Sequence, residues 1–320
     1  MPASPDAGAA AWPVLVLTGP TGSGKSDWAL ALAQAAPVEI ISVDSAQVYR
    51  GMDIGTAKPE RSLRARVPHH LVDICDPLER YSAGRFVTDA LAQIEAVRAR
   101  GRVPLLVGGT MLYLRALLHG LAPLPPASAP LRAQLDARAA REGWPALHAE
   151  LARLDPQAAA RIKPADGQRI QRALEVSYTA GQPISQLQRA TLSPLAGYAV
   201  RYWMLSPADR PALHQRLERR FAAMMAAGFL DEVRQLRDRG DLGPELPSMR
   251  AVGYRQLWSH LAGEVSLAVA SAQALSATRQ LAKRQLTWMR SEPAGTWVDP
   301  QGGPVSWIKD IRAQLGALGL

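Results

Sequence analysis

Eight residues near the start of the chain carry the sharpest chemical signal: Gly19, Pro20, Thr21, Gly22, Ser23, Gly24, Lys25 and Ser26. They fit Gly-x-x-x-x-Gly-Lys-Ser at every position, after an apolar run at residues 14–17 and before a helical pattern. Glycines let the backbone curl so that successive N–H groups point at phosphate oxygens, and a helix N-terminus adds positive potential. Lys25 supplies a mobile charge and the Ser26 hydroxyl a Mg²⁺ ligand. The motif therefore reads as phosphate and Mg²⁺ binding rather than as hydrolysis. A motor or switch NTPase holds its Mg²⁺ with an acid at the end of a second buried strand. Here the apolar run 103–107 ends in Gly108-Gly109-Thr110, which offers close backbone approach and a hydroxyl but no acid. Small-molecule kinases and related transferases remain.

Asp44 follows the apolar run 38–43. Ligands of open α/β sheets bind outside the carboxyl ends of the strands, so this carboxylate is placed to take a proton from a nucleophile. It can equally close a turn or cap a helix. His69-His70 is an adjacent pair whose rings point opposite ways on a strand, and it fits a structural role better than a metal site. Arg169 and Arg172 share one helical face, flanked by Gln168 and Gln171; such a face suits phosphates and base edges, or is simply solvated. His214, Arg216 and Arg220 sit on a long helical pattern. Arg216 and Arg220 could close over a phosphate or pair with acids such as Glu218. Residues 277–290 form a basic helix with Arg279, Lys283 and Arg290 along one face. Arg250, Gly253, Tyr254 and Arg255 add charge beside a flexible aromatic element. Together these resemble a nucleic-acid backbone footprint, with Trp288 expected as a buried core aromatic.

The elements that must position these groups follow from hydrophobic periodicity. The short, wholly apolar run at 14–17 reads as a strand buried on both faces, and the mostly apolar 38–43 and the run 103–107 read as further buried strands. They alternate with helical patterns at 26–36, 81–100 and 110–118, which implies a parallel α/β sheet. A Pro-rich stretch at 121–130 breaks the pattern, and the following 65 or so residues look helical, punctuated by Pro145, Pro156, Pro164 and Pro183. A strand pattern returns at 198–205, then a long helix at 207–227. The expected organisation is a leader at 1–12, a P-loop NTPase-like parallel-sheet core at 13–122 and 197–320, and an all-helical insertion domain at 123–196. The stretch after Arg290 is Gly/Pro-rich and uninformative.

The 320 residues are 48% hydrophobic and 20% charged, which excludes a wholly disordered or acidic solvating chain. The net charge is +9 and the pI about 10.1, pointing toward an anionic partner. Residues 1–122 carry a net +1 and residues 123–320 a net +8; the cations are 32 Arg and 5 Lys. One cysteine, Cys75, excludes a disulfide framework and a Cys-based zinc site and fits a reducing cytoplasm. No apolar stretch approaches the ~20 residues of a membrane span, and no targeting signal is evident, so a cytoplasmic protein is expected.

The segments GPTGSGKS, ISVDSAQVYRGMDIGTAKP, VPHHLVDICDP, YSAGRF, PLLVGGTMLYLRAL, DGQRIQRALEV, SMRAVGYRQLW and TRQLAKRQLTWMR occur in that order. Jointly they resemble the bacterial tRNA dimethylallyltransferases, or tRNA isopentenyltransferases, over residues 13–290. The resemblance implies a P-loop core with a helical insertion. It implies transfer of a dimethylallyl group from dimethylallyl diphosphate to N6 of adenosine 37, beside the anticodon, in tRNAs reading codons that begin with U. It assigns the diphosphate to Gly19, Pro20, Thr21, Gly22, Ser23, Gly24, Lys25 and Ser26 with Mg²⁺, and also to Arg220. Asp44 becomes the general base, with Lys25 and Thr110 at the reaction centre. Asp44, Ser45, Ala46, Gln47 and Thr110 also meet the tRNA anticodon stem-loop. So do Arg132, Gln168, Arg169, Ile170, Gln171 and Arg172. The same is implied for Arg250, Ala251, Val252, Gly253, Tyr254 and Arg255, and for Lys283, Arg284, Gln285, Leu286, Thr287, Trp288, Met289 and Arg290. A monomer with no membrane partner is expected. The rival readings are a P-loop small-molecule kinase, which leaves the charge at 250–290 unexplained, and a non-catalytic RNA-binding protein, which leaves the P-loop unexplained.

Overall fold

A computed structural model of the chain describes residues 11–188, 191–207 and 209–320. The expected leader lies outside the described residues as far as residue 10. Six strands form one parallel sheet in the order β3-β2-β4-β1-β5-β6. They are β1 (Pro13–Thr18), β2 (Val38–Val43), β3 (His69–His70), β4 (Val103–Gly108), β5 (Ala199–Leu205) and β6 (Thr296–Val298). Every residue of β1, β2 and β4 is buried, as strands covered on both faces require. Successive side chains leave a strand on opposite faces. Val14 and Val16 accordingly join Ile41, Val43 and Leu106 in one core. Leu15 and Leu17 join Val38, Ile40 and Leu105 in the other.

The helices α1 (Lys25–Ala35), α2 (Arg61–Arg66), α3 (Ala83–Ala99) and α4 (Met111–His119) interleave with the first four strands. The Ser82 hydroxyl caps α3 by accepting the Arg85 N–H. Its inward stripe, Phe86, Ala90, Ile94 and Val97, repeats at helical spacing.

The chain divides into two compact units, one running up to Leu118 and resuming at Pro194–Leu320, the other His119–Ser193. The second is helical: α5 (Ala129–Glu142), α6 (Trp144–Leu154), α7 (Pro156–Ala159), α8 (Gly167–Ala180) and α9 (Ile184–Leu187). Proline occupies the first turn of α5, α6 and α7, where its missing N–H costs nothing. Ser128, Asp155 and Asp166 cap α5, α7 and α8 with side-chain oxygens. Leu135, Leu147, Leu151, Ile170, Leu174 and Val176 form this unit's own core.

In the first unit β5 is followed by α10 (Arg210–Ala226), α11 (Phe229–Asp238), α12 (Tyr254–Leu261) and α13 (Leu267–Arg290). The stretch beyond Arg290 corrects the sequence reading, which found nothing there. β6 extends the sheet beside β5, and α14 (Val305–Gly316) buries Trp307, Ile311 and Leu315. The Trp307 ring meets Trp28 of α1 at 5.4 Å and Trp203 of β5 at 5.6 Å. Among the described residues no helix is long and apolar enough to cross a membrane.

Candidate active site

The P-loop links β1 to α1. Gly22 (φ +80°) and Gly24 (φ +90°) take left-handed conformations that side chains resist, and Gly24 is the N-cap of α1. A Cβ on Gly22 would also crowd Leu217 of α10 at 2.8 Å. The Lys25 Nζ donates to the Pro20 carbonyl at 3.4 Å. By area Lys25 is only half-buried, yet protein surrounds its charged end. Burial and the nearby Arg220 charge bring its pKa down from 10.5 to about 8, with Asp44 opposing them. Arg220 reaches in from α10 and donates to the Thr21 hydroxyl at 3.0 Å. Burial pulls its guanidinium below the ordinary arginine value, and Asp44 offsets part of that.

Asp44 stands immediately beyond β2. Its Oδ1 accepts the N–H groups of Ala46 at 2.8 Å and Gln47 at 3.3 Å, closing a turn. Its Oδ2 has no hydrogen-bond partner among the described residues and belongs to a carboxylate that lines the cavity. Oδ1 thus realises the turn-closing reading of Asp44, and Oδ2 is left without a partner among the described residues. Thr110, beyond β4, accepts the Ser45 N–H at 3.0 Å and lies 3.3 Å from the Ser45 hydroxyl. This bond ties the β2 and β4 ends together. A Cβ on Gly108 would run into the Val43 carbonyl, so that close approach needs glycine. The Gln47 amide accepts from Ser42 and donates to the Thr56 and Ala57 carbonyls, so it positions a loop.

That loop is pinned from the other side. The buried Glu232 of α11 accepts the N–H groups of Asp53 (2.8 Å), Ile54 (2.6 Å) and Gly55 (3.1 Å) and the Tyr254 hydroxyl (2.6 Å). Lys58 bonds the Tyr49 carbonyl, Asp53 and Asp73 with its side chain 1% exposed. Burial alone would raise the Asp73 carboxyl, but the Lys58 hydrogen bond and the Lys58 and Arg64 charges hold it below its ordinary value. Sequence reasoning singled out neither Glu232 nor Lys58, whose partners are assigned by tertiary structure alone.

These groups converge on one cavity of about 560 Å³. It brings together Thr21, Lys25, Ser26, Asp44, Ser45, Ala46, Gln47, Thr110, Arg220 and Arg250, together with Ala251, Val252, Gly253, Tyr254, Arg284, Gln285 and Trp288. Its apolar wall includes Leu217, Phe221, Met224 and Phe229. Arg216 and His214 stay outside, and Glu218 pairs with Arg279 rather than with either of them. His69 lines the cavity, and burial lowers its pKa. His70 pairs with Glu39 at 2.7 Å.

Several residues expected at a tRNA surface are turned inward. Tyr254 is fully buried, edge-on to Phe229 with rings 4.9 Å apart, and is no stacking platform. Leu286 and Met289 are core, as is Ile170 in the helical unit. Gln285 is buried: its Oε1 accepts the Thr21 N–H at 2.9 Å and its Nε2 donates to the Gly109 carbonyl at 2.8 Å. In the helical unit Arg132 and Arg172 grip Glu175, which is 0% exposed, and Gln171 bonds Asp136. Gln168 and Arg169 are exposed. Trp288 departs in the opposite direction. It is half-buried at the cavity with the Arg115 guanidinium 5.4 Å above its ring, rather than in the core. Arg250, Arg255, Lys283, Arg284, Thr287 and Arg290 are exposed.

No cluster of three or more His, Cys, Asp or Glu side chains that could hold a metal occurs among the described residues. The Ser26 hydroxyl, the expected Mg²⁺ donor, lines the cavity and has no hydrogen-bond partner among the described residues. A single hard oxygen donor suits Mg²⁺ carried largely by substrate phosphates and water.

Residues 47–292 match the family described as IPP transferase, and residues 13–66 the family described as isopentenyl transferase. A tRNA dimethylallyltransferase of Bordetella petrii is 59% identical over 296 residues, covering 92% of this chain and 94% of that protein. One from Ralstonia nicotianae is 58% identical, covering 88% and 90%. The crystal structure of a tRNA isopentenylpyrophosphate transferase from Bacillus halodurans superposes with a TM-score of 0.70 at 35% identity, covering 97% and 98% of the two chains. A eukaryotic dimethylallyltransferase, described as acting on tRNA, superposes with a TM-score of 0.75 at 29% identity, covering 90% and 74%.

Proposed function

This chain belongs to the IPP transferase family, and we propose that its cavity joins dimethylallyl diphosphate to N6 of adenosine 37 in tRNAs reading codons that begin with U. The coarser activity, transfer of a dimethylallyl group to tRNA, is that of its close relatives. The observation that supports a transferase cavity is the meeting of a P-loop and a carboxylate oxygen without a partner among the described residues in one cavity with an apolar wall, while the target base and the tRNA set follow from the sequence resemblance.

In this reading the P-loop amides, Lys25 and Arg220 bind the diphosphate, while the apolar wall accepts the dimethylallyl group. The bond between the allylic carbon and the diphosphate oxygen breaks as the bond from that carbon to N6 forms. Negative charge grows on the leaving diphosphate, and fixed donors already aimed there stabilise it without reorganisation. Mg²⁺ held by Ser26 and the phosphates would add to that neutralisation. The N6 proton passes to Asp44 Oδ2, whose sister oxygen is fixed by two backbone N–H groups. Adenosine enters by flipping out of the anticodon loop, where unstacking is cheapest. In the first unit the exposed cations of α12 and α13 supply tRNA contacts, and in the helical unit the start of α8 supplies its own. We read the enzyme as a monomer, and a tRNA substrate fits a cytoplasmic location. A kinase reading is not favoured by the family.

The test is an Asp44→Ala enzyme given labelled dimethylallyl diphosphate and unmodified tRNA. Label incorporation should fall about 10²- to 10⁴-fold, with the tRNA dissociation constant within a few-fold of the parent. Equal loss of tRNA binding would remove the general-base role. ATP turnover by the parent without incorporation would restore the kinase.

A further inference from the structure

Gln285 sits on the basic helix α13, but its side chain turns away from the exposed cations. It is 7% exposed, and both ends of its amide are used inside the protein. One end accepts the Thr21 N–H of the P-loop and the other donates to the Gly109 carbonyl at the end of β4. The two bonds span 264 and 176 residues of sequence. Thr21 is also the residue whose hydroxyl receives Arg220, and the residue after Gly109 is Thr110, which bonds Ser45 next to Asp44. One buried amide therefore joins the phosphate cradle to the segment that fixes the carboxylate. Its neighbours on α13 one helical turn either side, Ala282 and Met289, are core, so the helix cannot slide past without breaking both bonds. Lys283 and Arg284, just before it, are exposed.

We propose that Gln285 is a positioning residue: it sets the Thr21 segment of the P-loop against the β4 end, so that the helix presenting cations to the tRNA also holds the diphosphate cradle in register. It acts through Thr21 and Gly109 and makes no tRNA contact. This inference rests on the transferase reading of the cavity, although its test does not.

The test compares Gln285→Leu and Gln285→Glu with the parent enzyme in Mg²⁺ buffer. Leucine removes both bonds. Glutamate keeps the acceptor for Thr21 but loses the donor to Gly109. Inorganic pyrophosphate affinity is read by calorimetry, tRNA affinity by filter binding, and folding by thermal melting. Leucine should weaken pyrophosphate about tenfold or more, glutamate at least as much because it also sets a negative charge beside the anion's cradle, and tRNA affinity should stay within twofold for both. In transfer assays KM for dimethylallyl diphosphate should rise with KM for tRNA unchanged. Weakened tRNA binding with unchanged pyrophosphate affinity would make Gln285 a contact residue and overturn the proposal. So would unchanged affinities for both. If the leucine variant melts below the assay temperature, the glutamate variant decides by the same two affinities. A parent enzyme that binds pyrophosphate yet transfers no label to tRNA would overturn the transferase reading instead.

Discussion

Two cations, Lys25 and Arg220, share the cleft at the P-loop, and the fold itself brings them close. Arg220 remains charged, so the strain falls on Lys25, whose pKa is lowered to about 8 by burial and by Arg220. The sign follows directly. Below pH 8 Lys25 is protonated in both the free and the diphosphate-bound protein, and affinity is flat. Above pH 8 the free protein loses that proton and binding must restore it, so pyrophosphate affinity should drop about tenfold per pH unit. A calorimetric series from about pH 7 to 9.5 checks this, and the inflection near pH 8 should vanish in Lys25→Met. The same shift leaves the unliganded fold most favoured above 10.5, the ordinary lysine value, with that share lost as pH falls through 8. The types and spacing of Lys25, Ser26 and Asp44 were readable in the sequence because local backbone geometry defines their work. The burial of Gln285 was not legible, because the basic residues around it suggested a surface. The signal lay in the stripe Ala282, Gln285, Leu286 and Met289, which repeats at helical spacing and is buried.

At the scale of elements, the loop 53–57 is anchored to α11 through Glu232. Glu232→Ala would leave three backbone donors and the Tyr254 hydroxyl without their acceptor. Urea unfolding should show a loss of about 2–4 kcal/mol, and a loss below about 1 kcal/mol would mean that water replaces the carboxyl. The central strands were legible because short, mostly apolar runs alternating with helical patterns have few other uses. The last strand and helix were not. β6 is three residues long, and the spacing of Trp307, Ile311 and Leu315 in α14 is sparse beside the Gly and Pro before it. Tyr254 read as part of a flexible aromatic element because Arg250 and Arg255 flank it. Its burial is decided by Phe229 and Glu232, more than twenty positions earlier.

For the whole molecule the basic excess is less freely displayed than the count suggests. Arg132 and Arg172 are spent on Glu175, Arg138 on Glu150 and Arg239 on Asp76. Arg250, Arg255, Lys283, Arg284 and Arg290 are exposed and form no ion pair among the described residues. tRNA affinity should therefore fall steeply with salt. Replacing Lys283 and Arg284 together by Gln should reduce the slope of log affinity against log salt by about 2, one per lost phosphate contact. Filter binding across a range of KCl concentrations measures it, and an unchanged slope would move the footprint elsewhere.

Trp28 lies three residues beyond Lys25 on α1, and its indole rests against Trp307 of the final helix. The P-loop helix thus has a fluorophore built into its underside, beside two others. Emission from this cluster should report anion capture at Lys25 without any attached dye. It should also shift in a chain trimmed after Arg290, so an enzyme shortened by proteolysis would be recognisable in a cuvette before it was ever assayed.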